Sequence, residues 1–364
     1  MFRAHAATTA FAVALLLAAS AYGVVQTIDA TVTSQVEQKL SDQVINSDLA
    51  FKNLGETTGN FPLVAEAKLT EPTDPDTGGV ANSRLADPRA TQDADPAEFG
   101  IAALANIASG QSSWTASSAA DETRGIVFTA GEIGQDDNTD LLARSFFYLD
   151  GILVLWHQAG STDLSGSSAE AVIRVEQTRG DGPPVNVLIA SMSLVGQANG
   201  IPTLTAGGVL TADNVILLDA SELVPQLGTV QLAVLPKLAI PYEYSASVGE
   251  TFTLKASAEG RLQSSGRTGA AVILGPSVDE VVQLVSDVAG QDVGAALGQV
   301  LNNIIKASLT PARPLPADNV KTTVTVQTQS RLLPAGLCGA LGAESAVAFL
   351  LSAGLIGLVR RWRG

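Results

Sequence analysis

From Arg144 to Gly275 the chain repeats one pattern: apolar or alternating runs of strand length, broken by Gly, Pro, Asn and Asp. "RSFFYLDGILVLWHQ", "EAVIRVEQT", "VNVLIASMSLV", "GVLTADNVILLD", "TVQLAVLP", "YEYSASVGETFTLKASAEGRLQ" and "GAAVILG" follow one another at short intervals. β-Branched and aromatic side chains favour such runs because they pack well on a pleated surface. "FTLKASAEG" alternates apolar with polar or small residues, as a half-buried strand does. No βαβ alternation and no repeat of fixed period accompanies these runs. The pattern predicts a mainly β chain folded as an antiparallel, jelly-roll-like β-sandwich.

Several segments read less simply. Asp150-Gly151 is a favoured two-residue turn between apolar runs and predicts a hairpin; the competing reading is one continuous strand kinked at Gly151. Thr27 to Leu40 begins rich in Thr and Val, but Val36, Leu40 and Val44 recur at helical spacing. It reads as a strand giving way to a loop or short helix. Residues 69–98 are polar and rich in Asp-Pro steps, which disfavour helix before each proline. They predict a long loop, functional or mobile. "EFGIAALANIA" reads as a short helix or a buried strand. Gly78-Gly79 and Gly207-Gly208 read as turn glycines. One segment, about 277–307, changes period: Ser277 and Glu280 fit a capping box. Apolar stripes on either side of Gly290 predict two amphipathic helices inserted against the sandwich. "NVKTTVTVQTQSRL" then returns as a last strand.

The two ends direct the chain. Arg3, the apolar run Ala10 to Ala18, and Ala19-Ser20-Ala21 have the plan of a secretory signal peptide with an A-x-A cleavage site at Ala19 and Ala21. Export permits disulfides, yet Cys338 is the only cysteine. The exported body therefore has no internal disulfide and no Cys-based metal site. At the other end Ala346 to Val359 is apolar, and Leu337 to Ala343 extends it across Glu344-Ser345. Together they supply the ~20 residues that span a bilayer. Arg360, Arg361 and Arg363 then favour a cytoplasmic C-terminus. The expected layout is a signal peptide at 1–21, an exported β-sandwich domain at 22–333, and a C-terminal transmembrane helix within 334–364.

"PAGLCGALG", a hydrophobic helix and "RRWRG" together resemble the tripartite C-terminal sorting signals of exported bacterial proteins. The PEP-CTERM, MYXO-CTERM and GlyGly-CTERM groups share that plan. The resemblance covers only the stretch from about Pro334 onward. Cys338-Gly339 stands where a Pro-Glu-Pro motif would be, closer to the Cys-bearing and Gly-bearing variants. The resemblance implies that a C-terminal processing peptidase in the membrane recognises the motif, cuts there and passes the body to the cell envelope or surface.

The formal net charge is −15, which argues against nucleic acid as a partner, since phosphate binding needs clustered Lys and Arg. Removing the ends makes the body more acidic still: residues 1–21 carry Arg3 and no acid, and 334–364 carry three arginines against Glu344. His157 is the one histidine beyond the cleavage site, no G-x-S-x-G elbow accompanies it, and a zinc site would need several more His or Cys ligands. His157 reads as a strand histidine without a catalytic role. Asp136, Asn138 and Asp140 stand at i, i+2 and i+4, like the opening half of a calcium loop. The pattern then fails at Leu141, in the place of the turn glycine, and at Phe147, in the place of the bidentate Glu. A glycosidase needs two facing carboxylates, and an acidic chain offers too many to single out a pair. Trp114, in the polar context "SGQSSWTASS", is the candidate sugar contact, though packing is the stronger reading of it; Trp156 reads as core. No cofactor is implied beyond that incomplete calcium pattern. The sequence predicts a non-enzymatic envelope or surface protein, structural, adhesive or associated with extracellular polysaccharide. A carbohydrate-binding module is the first alternative, and a glycoside hydrolase or lyase the second.

Overall fold

The computed structural model describes residues 23–54, 61–87, 99–108, 112–158, 161–222 and 228–275, the short pieces 19–20 and 323–326, and isolated positions at 225, 283, 286, 295, 298 and 299. Chain order begins with β1 (Ala19–Ser20), β2 (Val24–Leu40), β3 (Gln43–Asn53), β4 (Leu63–Glu71), β5 (Asp74–Leu85), β6 (Phe99–Asn106) and β7 (Ser113–Val127). One helical turn, α1 (Ala130–Ile133), leads into β8 (Asp140–His157), β9 (Ser168–Arg179), β10 (Val185–Val195) and β11 (Thr203–Gly208). A 3-10 turn at Ala212–Asn214 precedes β12 (Ile216–Asp219), β13 (Thr229–Ser247), β14 (Thr251–Ser264), β15 (Thr268–Leu274) and β16 (Thr323–Val326).

All pairing is antiparallel, in two sheets. The seven-stranded sheet has the order β11-β10-β9-β14-β7-β2-β3. In the nine-stranded sheet β8 pairs with β13 along one side, and with β15 and β16 in succession along the other. β15 continues through β6 and β5 to β4. The chain crosses between sheets at the β1–β2, β3–β4, β6–β7, β7–β8, β8–β9, β11–β12, β13–β14 and β14–β15 connections, so neighbours in sequence often lie in opposite sheets. The mainly β sandwich expected from the strand-like runs is the architecture observed.

Alternation makes the sandwich. In β2, Val32, Ser34 and Val36 are buried while Thr33, Gln35 and Glu37 lie on the other face. β7 does the same with Trp114, Ala116, Ser118 and Ala120. Against them β4, β5 and β6 offer mostly small side chains: Ala65, Ala67, Gly79, Ala81, Ser83, Ala103 and Ala105. The sheets here approach more closely than the ~10 Å of ordinary face-to-face packing. Ser34 Oγ donates to Ala65 O at 2.8 Å, and Ser83 Oγ donates to Thr33 O at 2.6 Å, each reaching the opposite sheet's backbone. The two hydroxyls meet at 2.8 Å, and Ala119 N–H donates to Ser83 Oγ at 3.1 Å. Ser118 Oγ adds a bond to Ala102 O at 2.7 Å. A Cβ on Gly79 would sit 2.7 Å from Val36 Cγ1, so the strand glycine makes room for β2 rather than for a turn.

The nine-stranded sheet is also buried on its outer face. Ile152, Val154 and Trp156 of β8, Val230, Leu232 and Val234 of β13, and Ala271 and Ile273 of β15 point away from the sandwich core yet are buried. Trp156 Nε1 donates to Asn106 Oδ1 at 3.0 Å there, and its indole lies on Gly269, where a Cβ would meet the ring at 1.9 Å.

Several expectations are corrected. The Asp150-Gly151 hairpin is absent; β8 runs straight through it. Gly151 is needed for space, since a Cβ would meet Leu274 Cδ2 at 2.4 Å and Ile273 O at 2.7 Å. The irregularity sits in the partner, where β13 bulges between Leu235 and Leu238 opposite this point. β2 stays extended to Leu40, because burial of alternate residues outweighs the helical spacing of Val36, Leu40 and Val44. The first half of the 69–98 loop is instead a hairpin: β4 ends at Glu71, Pro72-Thr73 turn, and β5 begins at Asp74. Thr77 Oγ1 donates to Asp74 Oδ2 at 3.0 Å within it. "EFGIAALANIA" is a strand, and Gly78, Gly79, Gly207 and Gly208 lie within strands. The helical insertion and the C-terminal segment fall mostly outside the described residues. No helix among the described residues is long and apolar enough to cross a membrane.

Ser83→Ala removes the three contacts that Ser83 itself makes across the sheets while leaving the fold's shape intact. Its expected cost is about 1–3 kcal/mol in urea denaturation, and a change within experimental error would show that the serine bridge contributes nothing to sheet docking.

Candidate functional site

The outer face of the seven-stranded sheet carries the most developed surface feature. Register aligns Glu37, Thr115, Gln263 and Ser168 in one row across β2, β7, β14 and β9. Gln35, Ser117, Arg261 and Glu170 form the next row. These residues, with Lys39 and Glu259, line a shallow groove of about 470 Å³. Strand alternation puts them there: each is the outward neighbour of a core residue, as Gln35 and Glu37 flank Val36.

The groove is wired before any ligand arrives. Glu37 accepts from Gln35 Nε2 at 2.7 Å and Thr115 Oγ1 at 3.4 Å, and Lys39 Nζ stands 3.0 Å from it. Arg261 pairs with Glu259 along β14. Three carboxylates against two cations make the groove acidic, and amides and hydroxyls supply the remaining donors and acceptors. No aromatic residue is among its lining. Further along the same face, burial raises the Asp121 carboxyl above its ordinary value, and Lys255 Nζ at 3.6 Å opposes that shift. That pair is part of the sheet's charge ladder, a cross-strand contact of the kind that steadies register.

Trp114, the candidate sugar contact, faces inward and is 0% exposed. Its polar neighbours Ser113 and Thr115 are the outward half of the alternation, so the packing role is the one observed. Its Nε1 has no hydrogen-bond partner among the described residues. His157 is buried, with Nδ1 2.7 Å from Gln158 O.

Asp136, Asn138 and Asp140 lie in the connection from α1 to β8. Thr129 N–H and Oγ1 both bond Glu132 Oε2, at 3.2 and 2.9 Å, which starts the turn. Asp136 then offers its backbone oxygen to Thr139 Oγ1 at 2.7 Å. Asn138 takes a φ of 63° and donates its N–H to Val248 O at 2.9 Å. Asp140 Oδ1 accepts from Ser247 Oγ at 3.2 Å, and Ser247 in turn accepts from Arg179 Nη2 at 2.9 Å. Arg179 also pairs with Glu250. The stretch thus latches onto the β13–β14 turn, and no group of three His, Cys, Asp or Glu among the described residues is placed to hold a metal. Ala19 lies in β1, opposite Val324 of β16. Ala21, Cys338, Gly339, Arg360, Arg361 and Arg363 lie outside the described residues.

The groove residues escape a reading of the sequence alone. Their signal is the polar half of the alternation in "TSQVEQKL", "SWTASS" and "AEGRLQ". The register that joins strands from Gln35 to Gln263 is set by tertiary pairing.

Fold and groove define a class: an antiparallel β-sandwich with a polar groove across the outer face of one sheet. No protein-family model matches the chain. No curated protein is significantly similar to it. A solved structure of infectious bursal disease virus, Gx strain, is similar at 13% identity over 71% of this chain and 63% of that one, with a TM-score of 0.11. The chain thus spans under two thirds of that viral chain, and a TM-score so low carries no structural argument.

The Arg179 hydrogen bond holds the Glu250 carboxyl below its ordinary value near 4.5, against the opposing effect of burial. A lowered folded-state pKa means that the pair stabilises fully above the unfolded value and is lost as pH falls through the folded one. Glu250→Gln is therefore expected to destabilise at pH 7 by less than about 1 kcal/mol, both side chains being partly exposed. The gap from wild type should close as pH drops below 4.5. A gap that stays constant across that window in urea titrations would contradict the assignment.

Proposed function

We propose that this is a non-enzymatic, exported bacterial envelope protein that associates with extracellular polysaccharide through the groove across β2, β7, β14 and β9. The observation that carries this reading is the two-row array of Glu37, Thr115, Gln263, Ser168, Gln35, Ser117, Arg261 and Glu170 on one exposed sheet face. A polysaccharide presents hydroxyls at regular spacing, and a pleated face repeats donors and acceptors regularly in both directions. The excess of carboxylates selects a neutral chain over an anionic one. Without an aromatic platform, affinity per sugar is low, which suits adhesion through many contacts.

The finer features of the fold belong to the same reading. The sandwich is jelly-roll-like, and two helices between β15 and β16 lie against it. Support comes from the helical state of Gln283, Ser286, Ala295, Gly298 and Gln299, and from the buried outer face of the nine-stranded sheet. A signal peptide ending at Ala21 directs export. A transmembrane helix within 334–364, with Cys338-Gly339 before it and arginines after it, anchors the chain until a peptidase releases it.

Binding to immobilised neutral glucans, galactans and anionic alginate tests the groove. Arg261→Ala with Gln263→Ala is expected to weaken neutral-polymer binding by roughly tenfold or more without shifting the urea midpoint. Binding of no polymer, or binding that ignores both changes, would defeat the groove assignment. Intact-mass measurement on protein from its native membrane tests the ends separately: the expected species lacks the signal peptide and the tail, and a mass that retains residues 340–364 would show the helix to be a permanent anchor.

A further inference from the structure

The seven-stranded sheet ends at β3, an 11-residue edge strand. Leu49 is 62% exposed and Phe51 52% exposed. A long edge with exposed apolar residues templates pairing with another chain unless it is blunted. The neighbouring edge, β4, is blunted: Asp48 Oδ2 accepts the Lys68 backbone N–H at 2.7 Å. Nothing comparable occupies the middle of β3 among the described residues.

We infer that two copies of this chain pair through β3, antiparallel and centred on Ala50, to form a two-fold dimer with one continuous sheet. Three independent features of "DLAFK" fix that register. The first is hydrogen-bond parity. Leu54 N–H donates to Ala30 O at 2.8 Å, in step with the β2–β3 register. Antiparallel pairs alternate between bonded and non-bonded, so Leu49 and Phe51 direct their backbone groups away from β2, toward the edge. Centring on Ala50 sets Leu49 opposite the partner copy's residue 51 and Phe51 opposite its residue 49, both as hydrogen-bonded pairs. Ala50 meets its own copy at a non-bonded position, where small side chains come closest.

The second feature is charge. Asp48 and Lys52 flank Ala50 symmetrically on the inner side of the strand, so each carboxylate stands opposite the other copy's ammonium. Asp48 uses only Oδ2 on Lys68, which leaves Oδ1 for that contact. The third is the apolar match. Leu49 and Phe51 share the outer face and cover each other across the axis. Centring on Leu49 or on Phe51 keeps the parity but sets Asp48 or Lys52 opposite an uncharged residue. Such an isologous contact closes on itself and yields a dimer rather than a fibre.

Disulfide trapping in the full chain tests this. With Cys338 replaced by Ser, Ala50→Cys places two sulfurs across the axis, where Cβ atoms stand about 4.5–5.5 Å apart. Oxidation is expected to yield a covalent dimer, while Asp181→Cys, in the exposed β9–β10 turn, reports random collision. Adding Lys52→Asp to Ala50→Cys sets like charges opposite each other and should lower the dimer yield roughly fivefold or more. The exchange Asp48→Lys with Lys52→Asp should restore it. Ala50→Cys giving no more dimer than Asp181→Cys overturns the proposal, and so does a charge exchange that fails to recover what Lys52→Asp loses. Glycan binding by the monomer is a separate measurement, so failure of the dimer leaves the groove reading standing.

Discussion

The closeness of the two sheets over β4, β5 and β6 governs the rest of this structure. Here β4, β5 and β6 bring mainly Ala, Gly and Ser, which bury little apolar area per residue, so the bulk comes chiefly from Val32, Val36 and Trp114 on the facing strands. Hydroxyl-to-backbone bonds add to them, and Ser34, Ser83 and Ser118 each reach across the gap. Such bonds stabilise only when every buried partner is satisfied. This makes the docking specific: a one-residue slip of β2 or β5 would turn the serines outward and bring Thr33 or Asn82 into the core. An aromatic cluster lies near the β13–β14 turn, where Phe252 meets both Phe128 and Tyr244.

Fixing the inner register fixes the outer face without further cost. Once Val36 and Ala116 face the core, Glu37 and Thr115 must face solvent on the same row. The groove is therefore a by-product of packing in position, though not in composition. Its Glu, Gln and Arg residues stand where Ser and Thr would have served folding as well. The charge ladder that continues through Asp121 and Lys255 extends the polar character of the central strands, while Leu49 and Phe51 leave the β3 edge of the same face apolar.

The strands from β9 to β10 and from β13 to β15 are legible in the sequence, because alternation survives there and Gly or Pro marks each turn. The errors have physical causes. Asp150-Gly151 has hairpin chemistry, but the residue is glycine because β15 crowds it, and local turn preference yields to an 18-residue strand paired along its whole length on one side. The 69–98 segment looks polar because Pro72, Thr73 and Asp74 form a hairpin tip, while Gly79, Ala81 and Ser83 are core residues too small to register as apolar. Trp114 looks surface-like for the same reason, since its polar neighbours are the outward half of a strand, and the packing role favoured over the sugar contact is the one observed. The groove was not legible at all, since four segments spread over more than 200 residues meet only through pairing.

Edge management ties these observations together. β11 is only six residues long, and Asp48 takes up the Lys68 N–H of β4, so both edges offer a further strand less than β3 does. β3 differs in length and in its self-complementary centre. A two-fold axis through Ala50 runs perpendicular to the sheet, because outward Leu49 meets outward Phe51. Both grooves then open on the same side of one extended face. If the groove takes the proposed polysaccharide, a lack of aromatic stacking makes each contact weak, and two grooves held rigidly side by side would convert the second contact into an intramolecular one. Under the proposed polysaccharide reading, a polymer whose repeat matches that spacing would turn weak single contacts into durable attachment.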